Sequence, residues 1–272
     1  MVIQHNISAV NAYRNLNNNT TALNKNLEKL SSGYRINRAA DDAAGLAISE
    51  SMRSKIAGLD QSVNNANDGI GLIQTTEGAL SETHSMLQRL TTLATQAANG
   101  TYNSVSRTNI QQEVNELATE ISRIAKSTSY NGFKMLNGSI SAGKIVLQIG
   151  PTSSEQLSID VQEMTASELS VNKLSMGSVT GANSAITSIS KAINTVSKYR
   201  AKLGAKQNRL EHTINNLKVT SENVTSAESR IRDTDMASEM AAYTKNNVLV
   251  QAATSMLAQA NQSGQSVLSL LQ

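Results

Sequence analysis

Residues 186–231 read ITSISKAINTVSKYRAKLGAKQNRLEHTINNLKVTSENVTSAESRI, and along them Ile189, Val196, Leu203, Leu210, Leu217, Val224 and Ile231 fall seven apart. An unbroken seven-residue stripe is what a helix presents when one face packs along another helix, so this stretch is predicted to form one continuous helix about 70 Å long at 1.5 Å per residue. Ile186, Ile193 and Ile214 lie beside the stripe, but Arg200, Gln207, Ser221 and Glu228 fill the same lane elsewhere. A lane that is partly polar suits a bundle with a wet margin better than a dry two-stranded zipper. The helix therefore needs partners.

Working outward, the first half supplies them. Leu59, Val63, Ala66, Ile70 and Ile73 alternate at spacings of four and three, and Leu80 and Leu87 extend the run. A second run follows at Ile110, Val114, Leu117, Ile121 and Ile124, with a turn predicted around Asn99, Gly100 and Asn103. Pro151 is the single proline, so little in the chain forbids long helices. After Tyr130, Asn131 and Gly132 the period changes: Ile145, Leu147 and Ile149, then Leu157, Ile159 and Val161, alternate with other residues around Gly150, Pro151, Thr152 and Ser153. That is the pattern of a β-hairpin near 144–161. A short Gly/Ser/Thr-rich link at 177–183 leads into the long helix. The fold class expected is mainly α: a long antiparallel helical bundle or coiled coil formed by the N- and C-terminal halves, with a small β-hairpin region.

The two ends carry stripes of their own. Ala9, Leu16, Leu23 and Leu30 sit seven apart with Tyr13 and Leu27 beside them; Met236, Tyr243, Val250, Leu257 and Leu271 keep the same interval, with Leu268 close by and Gly264 interrupting. Flanks crowded with Asn, Ser, Thr and Gln leave each end as a helix that wants a partner, since most helical stability in water comes from burying an apolar face. Such ends are expected to order on assembly.

The composition excludes more than it proposes. There is no cysteine and no tryptophan, and aromatic residues make up 3% of the chain, which removes disulfides and thiolate chemistry and makes a ligand pocket a poor expectation. A net charge of +3 with the charges interspersed gives no footprint for nucleic acid, and no stretch is apolar enough to span a membrane. The opening residues have no basic cluster before an apolar core, so a general signal peptide is not the expected route of export. His5, His84 and His212 lie far apart without metal-ligand spacing, and Gly69 and Gly71 fall inside a helical pattern rather than after a strand. Asp41 and Asp42 are adjacent and face different directions, which favours capping or salt-bridging over paired-acid catalysis. No catalytic, cofactor-binding or metal residues are assigned.

The segment Leu30-Ser-Ser-Gly-Tyr-Arg-Ile-Asn-Arg-Ala-Ala-Asp-Asp-Ala-Ala-Gly-Leu-Ala-Ile-Ser-Glu50 resembles the signature segment of bacterial flagellins. Ala227-Glu-Ser-Arg-Ile-Arg-Asp-Thr-Asp-Met-Ala-Ser-Glu239, Gln259-Ala-Asn-Gln and Val267-Leu-Ser-Leu-Leu271 are similar to the C-terminal half of that family. The short link at 177–183, where larger members carry variable outer domains, makes this look like a minimal form.

The resemblance implies an inner-tube domain from residues 1 to 42 and 232 to 272, and an outer-tube bundle from 43 to 176 and 184 to 231. It implies a structural subunit, not an enzyme, that polymerises into the extracellular flagellar filament for swimming. Partners implied are further copies of the chain, the flagellar export chaperone and type III exporter, the filament cap and hook-junction proteins, and the animal Toll-like receptor for flagellin. By the same resemblance, Leu87, Gln88, Arg89, Leu93, Gln96 and Glu113, with Ala94 and Asn99, mark a receptor and axial-contact face. An arginine set between leucines suits an interface hot spot. The loop carrying Arg35, Arg38, Asp41 and Asp42 has two readings, an ion-paired segment that fixes the angle between domains or a solvated linker, since exposed pairs contribute little. The alternatives are a hook-filament junction protein, a secreted enzyme carried on flagellin-like ends, and a cytosolic coiled-coil adaptor. The enzyme would need an inserted domain for which the chain has no room; the adaptor would have stable ends and no assembly.

Overall fold

The structure, a computed structural model, describes residues 6–139 and 143–269, with side chains as far as Ser263. In chain order it has α1 (Ile7–Ser32), α2 (Ala43–Ala98), α3 (Ser104–Ser127), β1 (Lys144–Gln148), β2 (Gln156–Asp160), α4 (Val179–Arg232) and α5 (Met236–Ser269). The chain is mainly helical with one small antiparallel hairpin, the fold class expected. It divides into a central unit, Ala57–Ser221, and a terminal unit, Met1–Ile56 with Glu222–Gln272.

In the central unit the seven-residue stripe is the core. Ile189, Val196, Leu203, Leu210 and Leu217 are all buried on α4. The second buried lane is a refinement on the sequence: Ala182, Ala185, Ala192 and Tyr199 are buried, while the larger Ile186 and Ile193 are only partly so. Small side chains let the helices approach closely, so alanine wins the inner position over isoleucine. Arg200 pairs with Glu77 and Ser221 bonds Asp60, which runs α4 antiparallel to α2. α4 begins at Val179, inside the Gly/Ser/Thr-rich link, because Ser178 caps it through Oγ to the Gly181 N–H at 3.1 Å.

The α2–α3 turn falls where the Asn/Gly cluster put it. Asn103 Oδ1 accepts from Ser106 N–H at 2.8 Å to start α3, and Arg107 reaches back to the Ala97 and Asn99 carbonyls at 3.0 and 3.1 Å. A cation on the last carbonyls of a helix satisfies orphan acceptors and opposes the negative dipole end. Beyond α3, Tyr130 and Phe133 exchange both backbone bonds around Asn131 and Gly132, which have positive φ, the tight turn that Asn-Gly favours.

The hairpin pairs Ile145 with Ile159 and Leu147 with Leu157. Two helices hold it. Asn65 of α2 donates to the Gln148 carbonyl at 3.0 Å, and Tyr199 of α4 donates to the Asp160 carbonyl at 2.9 Å. Burial pushes the Tyr199 phenol up to about 12. Gly69 leaves the space that Leu147 fills, so a side chain there would collide with it. Residues 161–177 form no regular element yet bury Met164, Leu169, Val171, Leu174 and Met176. Gln111 of α3 secures this strap, donating to the Leu174 carbonyl at 2.8 Å and accepting the Met176 N–H at 2.6 Å.

In the terminal unit α1 and α5 run antiparallel, with Asn6 donating to the Ala260 carbonyl at 2.8 Å and Lys29 meeting Glu239 at 3.8 Å. Asn6 caps α1 at its start, and Gly33 ends it with φ 75°, where a Cβ would be strained.

Candidate assembly surfaces

A stripe at interval seven needs a second lane, and the position three residues on competes with the one four residues on. On α1 the inner lane is the former. Ala12, Asn19 and Asn26 turn toward cover, and Asn26, 9% exposed, is the single buried residue of the helix. Tyr13 and Leu27, in the other lane, are 56% and 53% exposed. α5 repeats this: Glu239, Asn246, Ala253 and Ala260 are partly covered, and Met240 is exposed. The seam therefore joins a half-buried apolar lane, Leu16, Leu23 and Leu30 with Tyr243, Val250 and Leu257, to a lane of polar and small side chains, while Tyr13, Leu27 and Met240 are left outside it.

Of the predicted terminal residues, Leu16, Leu23, Leu30, Tyr243, Val250 and Leu257 are half-buried, and Leu27 and Met236 are exposed. The Leu268 side chain and Leu271 lie outside the described residues. Ile7, Val10, Val248, Leu249 and Met256 add to the exposed apolar surface of this unit. Of the sixteen large apolar residues most exposed among those described, eleven belong to the terminal unit. Apolar residues surround α5 on several sides, which in a soluble helix marks a surface intended for cover.

The seam also holds buried polar atoms. Asn26 Nδ2 and Glu239 Oε1 are buried without a partner among the described residues. Such groups weaken a helix pair that is left on its own.

The two linkers, residues 33–42 between α1 and α2 and 233–235 between α4 and α5, are tied to each other. Arg35 N–H donates to the Arg232 carbonyl at 2.6 Å and Thr234 N–H to the Gly33 carbonyl at 3.0 Å, bridging Tyr34 to Asp233. Ile36 is buried beneath, at 2% exposure. The four loop residues singled out in the sequence have separate tasks. Arg35 donates through its side chain to the Ile231 carbonyl, and Arg38 pairs with Glu28 at 2.8 Å. Asp41 accepts the Asn37 and Arg38 N–H groups, and Asp42 Oδ1 caps α2 by accepting the Gly45 N–H at 2.8 Å. The Arg38 backbone N–H is the main reason the Asp41 carboxyl sits below its ordinary range.

The central cation of this clasp is one the sequence reading did not single out. Arg232 donates to Glu50 Oε1 at 2.6 Å and lies 4.8 Å from the Tyr34 ring centroid. That bond holds the Glu50 carboxyl below the usual carboxylate range. Arg232 stands within the family-like stretch already quoted, but a partner 182 residues away is invisible to local pattern.

On the central unit, Leu87 and Leu93 are buried core, while Gln88, Arg89, Gln96 and Glu113 face outward. Arg89 donates to Glu113 Oε1 at 2.8 Å through Nε and 2.7 Å through Nη2. Gln96 donates to the Tyr102 hydroxyl at 2.9 Å and Gln88 lies 3.2 Å from His84 Nε2. Gln88, Thr92, Gln96 and Asn99 line an open groove with Ile193 at its side. The face is polar, with two buried leucines fixing its backbone. Among the described residues no three His, Cys, Asp or Glu side chains come together as a metal site, and no helix is long and apolar enough to cross a membrane.

Residues 3–141 match the family model described as the bacterial flagellin N-terminal helical region, and residues 186–271 match the corresponding C-terminal helical region. The chain is 48% identical over 303 aligned residues to a flagellin of Bacillus subtilis, covering all of both. It is 47% identical over 285 to the flagellar filament 33 kDa core protein of Treponema phagedenis, again covering both in full. Among solved structures, Bacillus cereus flagellin superposes with a TM-score of 0.52 at 30% identity, over 57% of this chain and 88% of that one.

Proposed function

The chain belongs to the bacterial flagellin family, and from that premise we propose that it is the structural subunit of an extracellular flagellar filament, joined to its neighbours through α1 and α5. The family is structural and not enzymatic. The observation that carries the reading is the incompletely covered terminal pair: its seam holds Asn26 and Glu239 beside half-buried leucines, while Tyr13, Leu27, Met240 and Val248 face out. A pair arranged this way is weak alone and gains stability when further copies cover its apolar sides. Contacts between different surfaces of successive subunits, with a rotation that does not close, give a helical polymer.

The inner-tube and outer-tube assignment, with boundaries near residues 42 and 232, belongs to this reading, as do export of the unfolded chain by the type III exporter with its chaperone and addition under a cap. The absence of cysteine suits passage between compartments of different redox state. The outward Gln88, Arg89, Gln96 and Glu113 face supports the further reading that the same surface serves axial contacts in the polymer and recognition by the animal Toll-like receptor for flagellin.

Electron microscopy of seeded protein beside a version lacking residues 236–272 tests the main reading. Filaments from the full chain and none from the truncation are expected; no filaments from either moves the assignment to a hook-filament junction protein.

A further inference from the structure

We propose that Met236, Met240 and Met256 on α5 are a methionine-sulfoxide modification site through which peroxide controls the subunit's ability to polymerise. The inference rests on the filament reading above. The chain has nine methionines and no cysteine or tryptophan, so thioethers are its only sulfur groups. Three of them are strongly exposed among the described residues, and all three lie on α5, at 48%, 50% and 64%. Met135, Met164 and Met176, at 2% or less, are sealed in the central unit, and Met52 and Met86 are half-buried.

Position on the helix matters as much as exposure. Met236 and Met240 are one turn apart and share a side of α5; Met256 shares another side with Leu249, seven residues before it. Met240 and Met256 thus lie on the two flanks of the helix, and Met236 opens the lane of Tyr243, Val250 and Leu257 at the helix start, where it is still 48% exposed. A thioether fits there because it is flexible, polarisable and indifferent to the exact shape of what covers it.

Its oxidation reverses that fit. Each thioether sulfur attacks one oxygen of a peroxide; the S–O bond forms as the O–O bond breaks, sulfur is oxidised, and the peroxide is reduced to water or an alcohol. The product is a polar, chiral sulfoxide in a place that another subunit must cover without water. An unmatched polar group in such a contact weakens it about tenfold or more. In the polymer the same sulfurs are shielded, so free subunits react and assembled ones are spared.

The test treats monomer with hydrogen peroxide, maps the sulfoxides by peptide mass, and measures the critical concentration for seeded polymerisation. A triple variant, M236L/M240L/M256L, runs in parallel, and one portion of oxidised wild type is repaired with methionine sulfoxide reductase. Expected are one added oxygen at each of the three positions, a critical concentration raised about tenfold, recovery on repair, and no response in the triple variant. Unchanged polymerisation of fully oxidised protein, no recovery on repair, or equal inhibition of the triple variant overturns the proposal. Failure of untreated wild type to polymerise overturns the filament reading instead.

Discussion

Arg232 and Glu50, 182 residues apart in sequence, meet at 2.6 Å and close the clasp that ties the two interhelical linkers together. Because the Arg232 bond is the first cause of the lowered Glu50 carboxyl, ionised Glu50 favours the closed clasp. Folding lowers this group's affinity for a proton, so the contribution is complete above the ordinary value of 4.5 and disappears as pH falls through the depressed one. Hydrogen exchange corrected for intrinsic rates is expected to show the Arg35 and Thr234 amides losing protection below pH 4.5, and E50Q is expected to flatten that dependence.

Tyr199 makes the opposite prediction at the alkaline end. Burial raises its phenol from 10.0 to about 12, so its stabilising effect is intact below pH 10 and is lost as pH rises toward 12. Y199F removes this alkaline dependence and the bond to the Asp160 carbonyl, at a cost of about 1–2 kcal/mol near neutral pH. Urea unfolding of both proteins between pH 8 and 11 checks both statements.

Leu27 and Leu23 are expected to behave differently when each is changed to Asp. Leu27 is 53% exposed, so L27D leaves the monomer within about 0.5 kcal/mol of wild type yet prevents polymerisation. L23D, at a half-buried seam position, also loosens the α1–α5 pair. Circular dichroism of the monomer with sedimentation of seeded samples separates the two; normal filaments from L27D count against the terminal helices as the joint.

The Arg89–Glu113 pair is 53% and 43% exposed at its side chains, and surface pairs of this kind contribute about 0–1 kcal/mol. R89A is therefore expected to shift thermal unfolding very little while weakening filament growth. A large loss of thermal stability without an assembly defect would assign the pair to the fold alone.

Gly69→Val tests how the hairpin is seated. A valine gains a few tenths of a kcal/mol of helix propensity over glycine but collides with Leu147, and overpacking costs about 1–3 kcal/mol. The collision wins, so faster exchange in β1 and β2 is expected with α3 unaffected.

What could be read from the sequence follows from where information is local. The stripe from Ile189 to Leu217, the Asn99–Asn103 turn and the alternation in the hairpin are each written within one stretch, and each appears where it was expected. The second lanes are only partly legible from hydrophobicity: on α4 Ile214 is buried and Ile186 and Ile193 pack against the core, yet the inner face near them belongs to smaller residues. Ile193 and Leu27 attract the eye, whereas Ala192 and Asn26 are the buried ones. On α4 the cause is close packing; on α1, in the present reading, the larger residue serves another copy of the chain. The strap at 161–177 has no period at all, since Gln111 and scattered apolar side chains hold it rather than a ladder. At the candidate surfaces, Arg35, Arg38, Asp41 and Asp42 were visible as a charged loop, but Arg232 was not visible as its centre. Pairing across such a separation exists only after folding.

The bridge between Tyr34 and Asp233 also orders events in time. The Arg35 side chain and its Ile231 acceptor are 196 residues apart, so the clasp closes one of the longest loops available to the chain. Contacts of such separation carry a large closure entropy and form late, after the local helical hairpins have shortened the effective path. The middle of the chain is thus expected to fold first, with the beginning and the end meeting last. The surface through which the subunit would join its neighbours is accordingly expected to be the last part of it to be completed.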